Sequence, residues 1–252
     1  MFNDKKYFEV NREERHFGNL LISAIIYDEK FRCFLFDLIN KKINKPEYLN
    51  GSFDIYSETA ILRDYWNDLS DFKKFTPELL ARRKEIISLC MKHFYIDPII
   101  LDKYPLFWNN KNLCFPGKWT EKNNNNLQNL KEIQEKNSIS NNYLCRIGWA
   151  FKAKPDLLII SNNNCIIIEL KLESGIGKNK DGYNQIQTQQ DIIELSKITV
   201  PFFKTISSFE NILLTKEKNN FYLSWLEILQ DLNNFSNDLI KKHFNIIIKK
   251  LS

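Results

Sequence analysis

Asp156, Glu169 and Lys171 are two acids and an amine near the ends of one stretch, Lys154 to Lys171, KPDLLIISNNNCIIIELK. Two β-rich runs, Leu157 to Ile160 and Cys165 to Ile168, flank an Asn-rich break at Asn162, Asn163 and Asn164, the pattern of a β-hairpin. Apolar residues occupy both faces of these runs, so the strands should be buried, and carboxylates are rarely set beside buried strands without a partner. Side chains alternate along a strand, which puts Glu169 and Lys171 on one face and Leu170 on the other. A turn with an even number of residues sets Asp156 opposite Glu169 or Lys171 on that face, whereas a three-residue loop without a bulge would separate them. Two carboxylates at a strand end suit magnesium, which keeps several waters and binds through one or two carboxylates plus substrate phosphate. A neighbouring amine can orient or help deprotonate the attacking water and offset phosphate charge, while the metal stabilises charge developing on phosphorus. That is the chemistry of phosphodiester cleavage. The competing reading is an ordinary hairpin in which Glu169 and Lys171 form a same-face ion pair worth about 0.2–1 kcal/mol.

Pro155-Asp156 and Glu169-Leu170-Lys171 together resemble the two halves of the PD-(D/E)XK nuclease signature. The resemblance implies an α/β fold with a restriction-endonuclease-like core: helix, three strands, helix and strand, a mixed sheet flanked by helices. It also implies that Asp156 and Glu169 hold magnesium, with manganese as a substitute, that the Leu170 carbonyl adds a ligand, and that Lys171 positions or activates water. In this superfamily a helix ahead of the sheet often supplies another acid. Here that helix is expected from about Arg12 to Tyr27, where Phe17, Leu20, Leu21, Ala24 and Ile25 recur at helical spacing. Glu14 is assigned to the site and Glu13 competes with it; a charged first turn favoured by the helix dipole would account for both acids without a site.

The elements that must position these residues follow from periodicity and caps. Tyr143 to Phe151 alternates with a period of two and reads as a strand leading through Lys152 and Lys154 into the hairpin. Ser57 to Leu69 looks helical, and its Glu58, Arg63 and Asp64 read as an ion-paired exposed face. Thr76-Pro77-Glu78 supplies an N-cap, a first-turn proline and an acid for a helix from Pro77 to about Phe94. After Lys171, a loop from Glu173 to Gly182 carries three glycines with Lys178 and Lys180. A helix from about Tyr183 to Lys197 follows, with Gln185 and Gln189 on the face of Ile193. Asn211 to Thr215 is a further strand, with a short one expected near Phe202. Ser224 and Glu227 form a capping-box pattern, so a helix starts at Trp225. A final amphipathic helix runs from about Asn237 to Leu251.

The chain has 252 residues, of which 43% are hydrophobic and 27% charged, values of a globular protein with a substantial core. Its net charge of +5 is compatible with a polyanionic partner and does not establish one. Cys33, Cys90, Cys114, Cys145 and Cys165 lack CxxC spacing and the three histidines form no ligand pattern, which argues against zinc and against a secreted disulfide framework. The N-terminus has no apolar signal region and no run suits a bilayer, so the expected location is the cytoplasm, without a membrane partner. The expectation is a single nuclease-like domain over 1–252. Within it lie an N-terminal core helix (1–28), a mainly helical insertion (29–142), a catalytic core (143–215) and a C-terminal helical extension (216–252). From the resemblance, the expected activity is magnesium-dependent DNA hydrolysis in restriction, defence or repair. Arg146, Lys152, Lys154, Lys178 and Lys180 are expected on backbone phosphates, with Gln185 and Gln189 turned toward the DNA. Double-strand cutting would suggest a homodimer, and the insertion could bind a protein partner. The alternative function is a nucleic-acid-binding or assembly module that does not cut.

Overall fold

The structure, a computed structural model, describes residues 13–69, 76–103, 115–119, 141–171, 184–215, 223–229, 235–238, 241–242 and 244–245. The side chains of 13–16 are not among them. The chain divides into two compact units, one formed by 1–59, 155–179 and 207–252 and the other by 60–154 and 180–206. No described helix is long and apolar enough to cross a membrane.

The first unit contains helices α1 (Glu13–Tyr27) and α2 (Glu29–Lys42) and a five-stranded mixed sheet in sequence order. Strands β1 (Phe53–Ser57), β2 (Leu157–Ser161) and β3 (Asn164–Leu170) are antiparallel, and β4 (Ser208–Thr215) and β5 (Leu223–Ser224) continue in parallel. Phe17, Leu21, Ala24 and Ile25 of α1 share a core with Leu157, Ile159, Ile166, Ile168, Leu170, Ile212 and Leu214. Those strand positions alternate, as the pleat requires. Leu158, Ile160, Cys165 and Ile167, from the opposite face, are buried too, so β2 and β3 read as continuous apolar runs. Ser224 caps the short helix Trp225–Leu229: its hydroxyl accepts the Leu226 amide at 3.2 Å, and Glu227 accepts the Ser224 amide at 2.9 Å. Phe244, from the expected final helix, is buried against Phe31, with ring centroids 5.8 Å apart.

The described elements of the second unit are α3 (Ile61–Asp68), α4 (Pro77–His93), α5 (Ile99–Lys103), α6 (Asn141–Lys152) and α7 (Gln185–Thr199), with 3-10 turns at Pro116–Lys118 and Phe202–Thr205. Thr76 caps α4 as expected, accepting the Leu79 amide at 3.2 Å. Asn184 and Gln187 form a capping box on α7.

Three sequence expectations are corrected here. Tyr143 to Phe151 lies in helix α6: Leu144, Ile147, Gly148 and Phe151 are buried at helical spacing, whereas Tyr143 and Trp149 of the supposed apolar face are only half-buried. A segment rich in apolar residues satisfies both periods, and the helical stripe wins. The first strand of the sheet is instead Phe53–Ser57, inside the stretch read as helical insertion, and the helix read from Ser57 begins at Ile61. The short strand expected near Phe202 is a 3-10 turn.

Candidate active site

Leu157 pairs with Ile168 and Ser161 with Asn164, leaving a two-residue connection, Asn162-Asn163, with Asn162 in the left-handed region at φ 52°. Asparagine tolerates that conformation better than other residues with a Cβ. The even-numbered turn has a direct consequence. Continued one step, that register brings position 156, in a bend just before β2, across from position 169.

The motif side chains are held by short contacts. Asp156 Oδ2 accepts the Leu170 amide at 2.8 Å, and the Asp156 carbonyl accepts the Glu58 amide at 3.2 Å. Glu169, 4% exposed, accepts the Lys171 ammonium at 3.1 Å. Lys171 lies just past the end of β3, where its own amide donates to the Leu214 carbonyl at 2.8 Å, so β4 fixes its backbone.

Asp156 and Leu170 also line a cavity of about 330 Å³ with Gly18, Asn19 and Ile22 of α1 and Ser57 and Glu58 after β1. Gly18 permits the close approach of α1, since a Cβ there would fall 2.9 Å from Leu170 Cδ1. Of the three motif side chains, Asp156 alone lines this cavity. Glu14 lies one helical turn before Gly18 in the described backbone of α1; its side chain is outside the described set. Sequence reasoning underrated Glu58. Its backbone adopts φ 48° at the end of β1, which brings it beside Asp156, and the signal would have been the strand pattern of Phe53 to Ser57.

Asp156, on the Leu170 amide, and Glu169, the residue before Leu170, bring two carboxylates to one hairpin end, oxygen donors of the kind magnesium accepts alongside its waters. Among the described residues no three His, Cys, Asp or Glu side chains form a metal-holding group. Glu58, which lines the cavity with Asp156, and Glu13 and Glu14, whose side chains lie outside that set, are the acids left to complete one.

The expected nucleic-acid residues belong to the second unit or lie outside the description. Lys152 and Lys154 are exposed at the end of α6. Burial and the nearby Lys118 charge hold the Lys152 amine below its ordinary pKa. Arg146 forks onto fully buried Asp191 of α7, at 2.6 and 2.9 Å, and covers the Phe94 ring at 4.7 Å, so its guanidinium is engaged in packing. Gln189 is buried and Gln185 half-buried. Lys178 and Lys180 lie outside the described residues.

No family model, curated protein or solved structure matches the chain.

Proposed function

We propose that this protein is a magnesium-dependent deoxyribonuclease of the PD-(D/E)XK type. The observation that carries the proposal is the end of the β2–β3 hairpin, where Asp156 accepts the Leu170 amide at 2.8 Å and Lys171 meets Glu169 at 3.1 Å. The element order supports it as well: α1, three antiparallel strands, α7, then a parallel strand, the order that the restriction-endonuclease-like core requires.

In this reading Asp156, Glu169 and the Leu170 carbonyl hold magnesium. When bound, the ion would supply Lewis-acid stabilisation of charge on the phosphate oxygens. Lys171 would orient the attacking water toward phosphorus and offset the negative charge of the transition state. A new P–O bond forms from water, the ester P–O bond breaks, and a proton passes to the leaving oxygen. Glu14 or Glu58 supplies a further acid. Lys152 and Lys154 bind backbone phosphates without choosing a sequence. Restriction-like defence or DNA repair is the corresponding setting.

A second reading is favoured by the Glu169–Lys171 contact itself, which an ordinary ion-paired hairpin would also make: a nucleic-acid-binding or assembly module that does not cut. One experiment separates the two. Linear, circular and single-stranded DNA are incubated with wild type and Lys171→Ala in magnesium, with calcium as a non-catalytic control and circular dichroism as a check on folding. Cutting by wild type and its loss in folded Lys171→Ala is the expected result. Binding without cutting on every DNA would establish the second reading.

A further inference from the structure

The cavity beside Asp156 is walled by more than acids. Gly18, Ile22 and Leu170 give it apolar surface, and Asp156 and Glu58 bring two carboxylates. Among the described residues of the wall, Asn19 of α1 and Ser57 of β1 are the uncharged polar side chains. Both residues are exposed, and neither side chain hydrogen-bonds to a described residue. The hydroxyls of Ser23 and Thr59 reach only their backbone carbonyls, at 2.9 and 3.4 Å. Asn19 lies inside α1, where asparagine is a poorer helix former than alanine or leucine, so helix formation does not account for it.

Both residues are carried to the cavity on constrained backbone. Glu58 holds φ 48°, a left-handed conformation that residues with a Cβ rarely adopt, and its amide donates to the Asp156 carbonyl at 3.2 Å. The end of β1, and Ser57 with it, is thereby tied to Asp156. Gly18 lets α1 close onto Leu170, which brings the next residue, Asn19, to the same space. Carboxylates accept hydrogen bonds and cannot donate to a phosphate, whereas a carboxamide offers two N–H donors and a hydroxyl one. A hydrogen bond to an ionised oxygen is also stronger than one between neutral groups. The volume, about 330 Å³, equals roughly eleven waters at about 30 Å³ each, room for a phosphate group together with several waters. We propose that Asn19 and Ser57 hold non-bridging oxygens of the scissile phosphate, the carboxamide from α1 and the hydroxyl from the end of β1.

This assignment rests on the nuclease reading and adds to it substrate contacts from two elements outside the hairpin motif. Contacts to phosphate oxygens fix where the strand lies without reading its sequence.

The test measures single-turnover cleavage of a linear DNA duplex in magnesium, and binding of the same duplex in calcium. It uses full-length wild type, Asn19→Ala, Asn19→Asp, Asn19→Gln, Ser57→Ala and, as a control, Ile26→Ala, an exposed residue of α1 outside the described cavity wall. Neither Asn19 nor Ser57 has a side-chain hydrogen bond to break, so these variants should melt close to wild type. Asn19→Ala and Ser57→Ala should each slow cleavage about tenfold or more, the effect of losing one donor to a charged oxygen. Asn19→Asp exchanges the donors for negative charge at the same size and should slow it further. Asn19→Gln should recover part of the rate, and Ile26→Ala should cut like wild type. Binding in calcium should weaken in the same order. Wild-type rates in Asn19→Ala, Asn19→Asp or Ser57→Ala, or losses matched by Ile26→Ala, would overturn the assignment while leaving the nuclease reading intact. Failure of the nuclease reading has a different signature, in which wild type cuts nothing in magnesium. The calcium arm then decides: weaker binding in Asn19→Ala and Ser57→Ala keeps the phosphate contact, and unchanged binding across the variants, or none by wild type, overturns it as well.

Discussion

Lys171 and Glu169 make the sharpest single-residue test of whether the hairpin end is a site or only a pair. Their side chains are 13% and 5% exposed, so the pair is largely desolvated, and removing the ammonium takes a close counter-charge from a buried carboxylate. Lys171→Ala should therefore lose about 2–3 kcal/mol in chelator, somewhat below the ~3–5 kcal/mol of a fully buried pair. If Glu169 is a metal ligand, millimolar calcium should recover part of that loss, because an ion that binds only the folded state stabilises it. Urea denaturation with EDTA and with calcium measures both. A deficit that calcium leaves untouched would mean that Glu169 has no second cation to receive.

Among the elements, α6 exposes the physics of close approach. Gly148→Ala gains about 1 kcal/mol of helix propensity but drives a methyl group into the Trp119 backbone carbonyl. Backbone cannot swing aside, so net destabilisation of about 1–3 kcal/mol is expected. Gly18→Ala, whose new methyl meets the tip of the Leu170 side chain rather than backbone, should cost less than Gly148→Ala when thermal melts of the two variants are compared. These contrasts also show why some elements were legible in the sequence and others were not. Thr76-Pro77-Glu78 and Ser224…Glu227 are local devices, complete within four residues, and both caps form where their sequences put them. The hairpin was legible because Asn162-Asn163 and the flanking apolar runs act over short range. α6 was misread because Tyr143 to Phe151 has apolar residues at both periods, and only tertiary contact with Trp119 and Pro116 selects one. β1 was missed for a related reason. Its FDIYS alternation is only half-buried, and its partner strand is far away in sequence. Glu58 was undervalued with it.

At the scale of the whole molecule, Asp28 joins distant parts of the first unit. One carboxylate oxygen caps α2 through the Phe31 amide at 3.0 Å, and the other accepts the Ser236 and Asn237 amides at 2.9 and 3.2 Å. Burial raises its pKa, but the hydrogen bonds from Phe31, Ser236 and Asn237 together outweigh that and hold it below the ordinary 3.8. A carboxylate with a depressed folded-state pKa contributes stability in full above its unfolded value and loses it as pH falls through the folded value. Asp28→Asn should thus be about 1–2 kcal/mol less stable than wild type at neutral pH. The gap should narrow below pH 3.8 and close in stronger acid, as paired acid-titrated urea melts would show. A gap constant from neutral to strongly acidic pH would assign the effect to packing rather than to the charge.

The pairing of β1 with β2, Phe53 with Ser161 and Ser57 with Leu157, has a consequence for how the chain reaches this state. The β2–β3 hairpin closes over two residues, but β1 must wait for a partner roughly a hundred residues downstream, and such long-range contacts form slowly. During synthesis β1 emerges well before β2, with the second unit's 60–154 still to come. A nascent chain halted before Leu157 therefore carries an orphan strand, Phe53–Ser57, and should be a better substrate for holding chaperones than the finished protein.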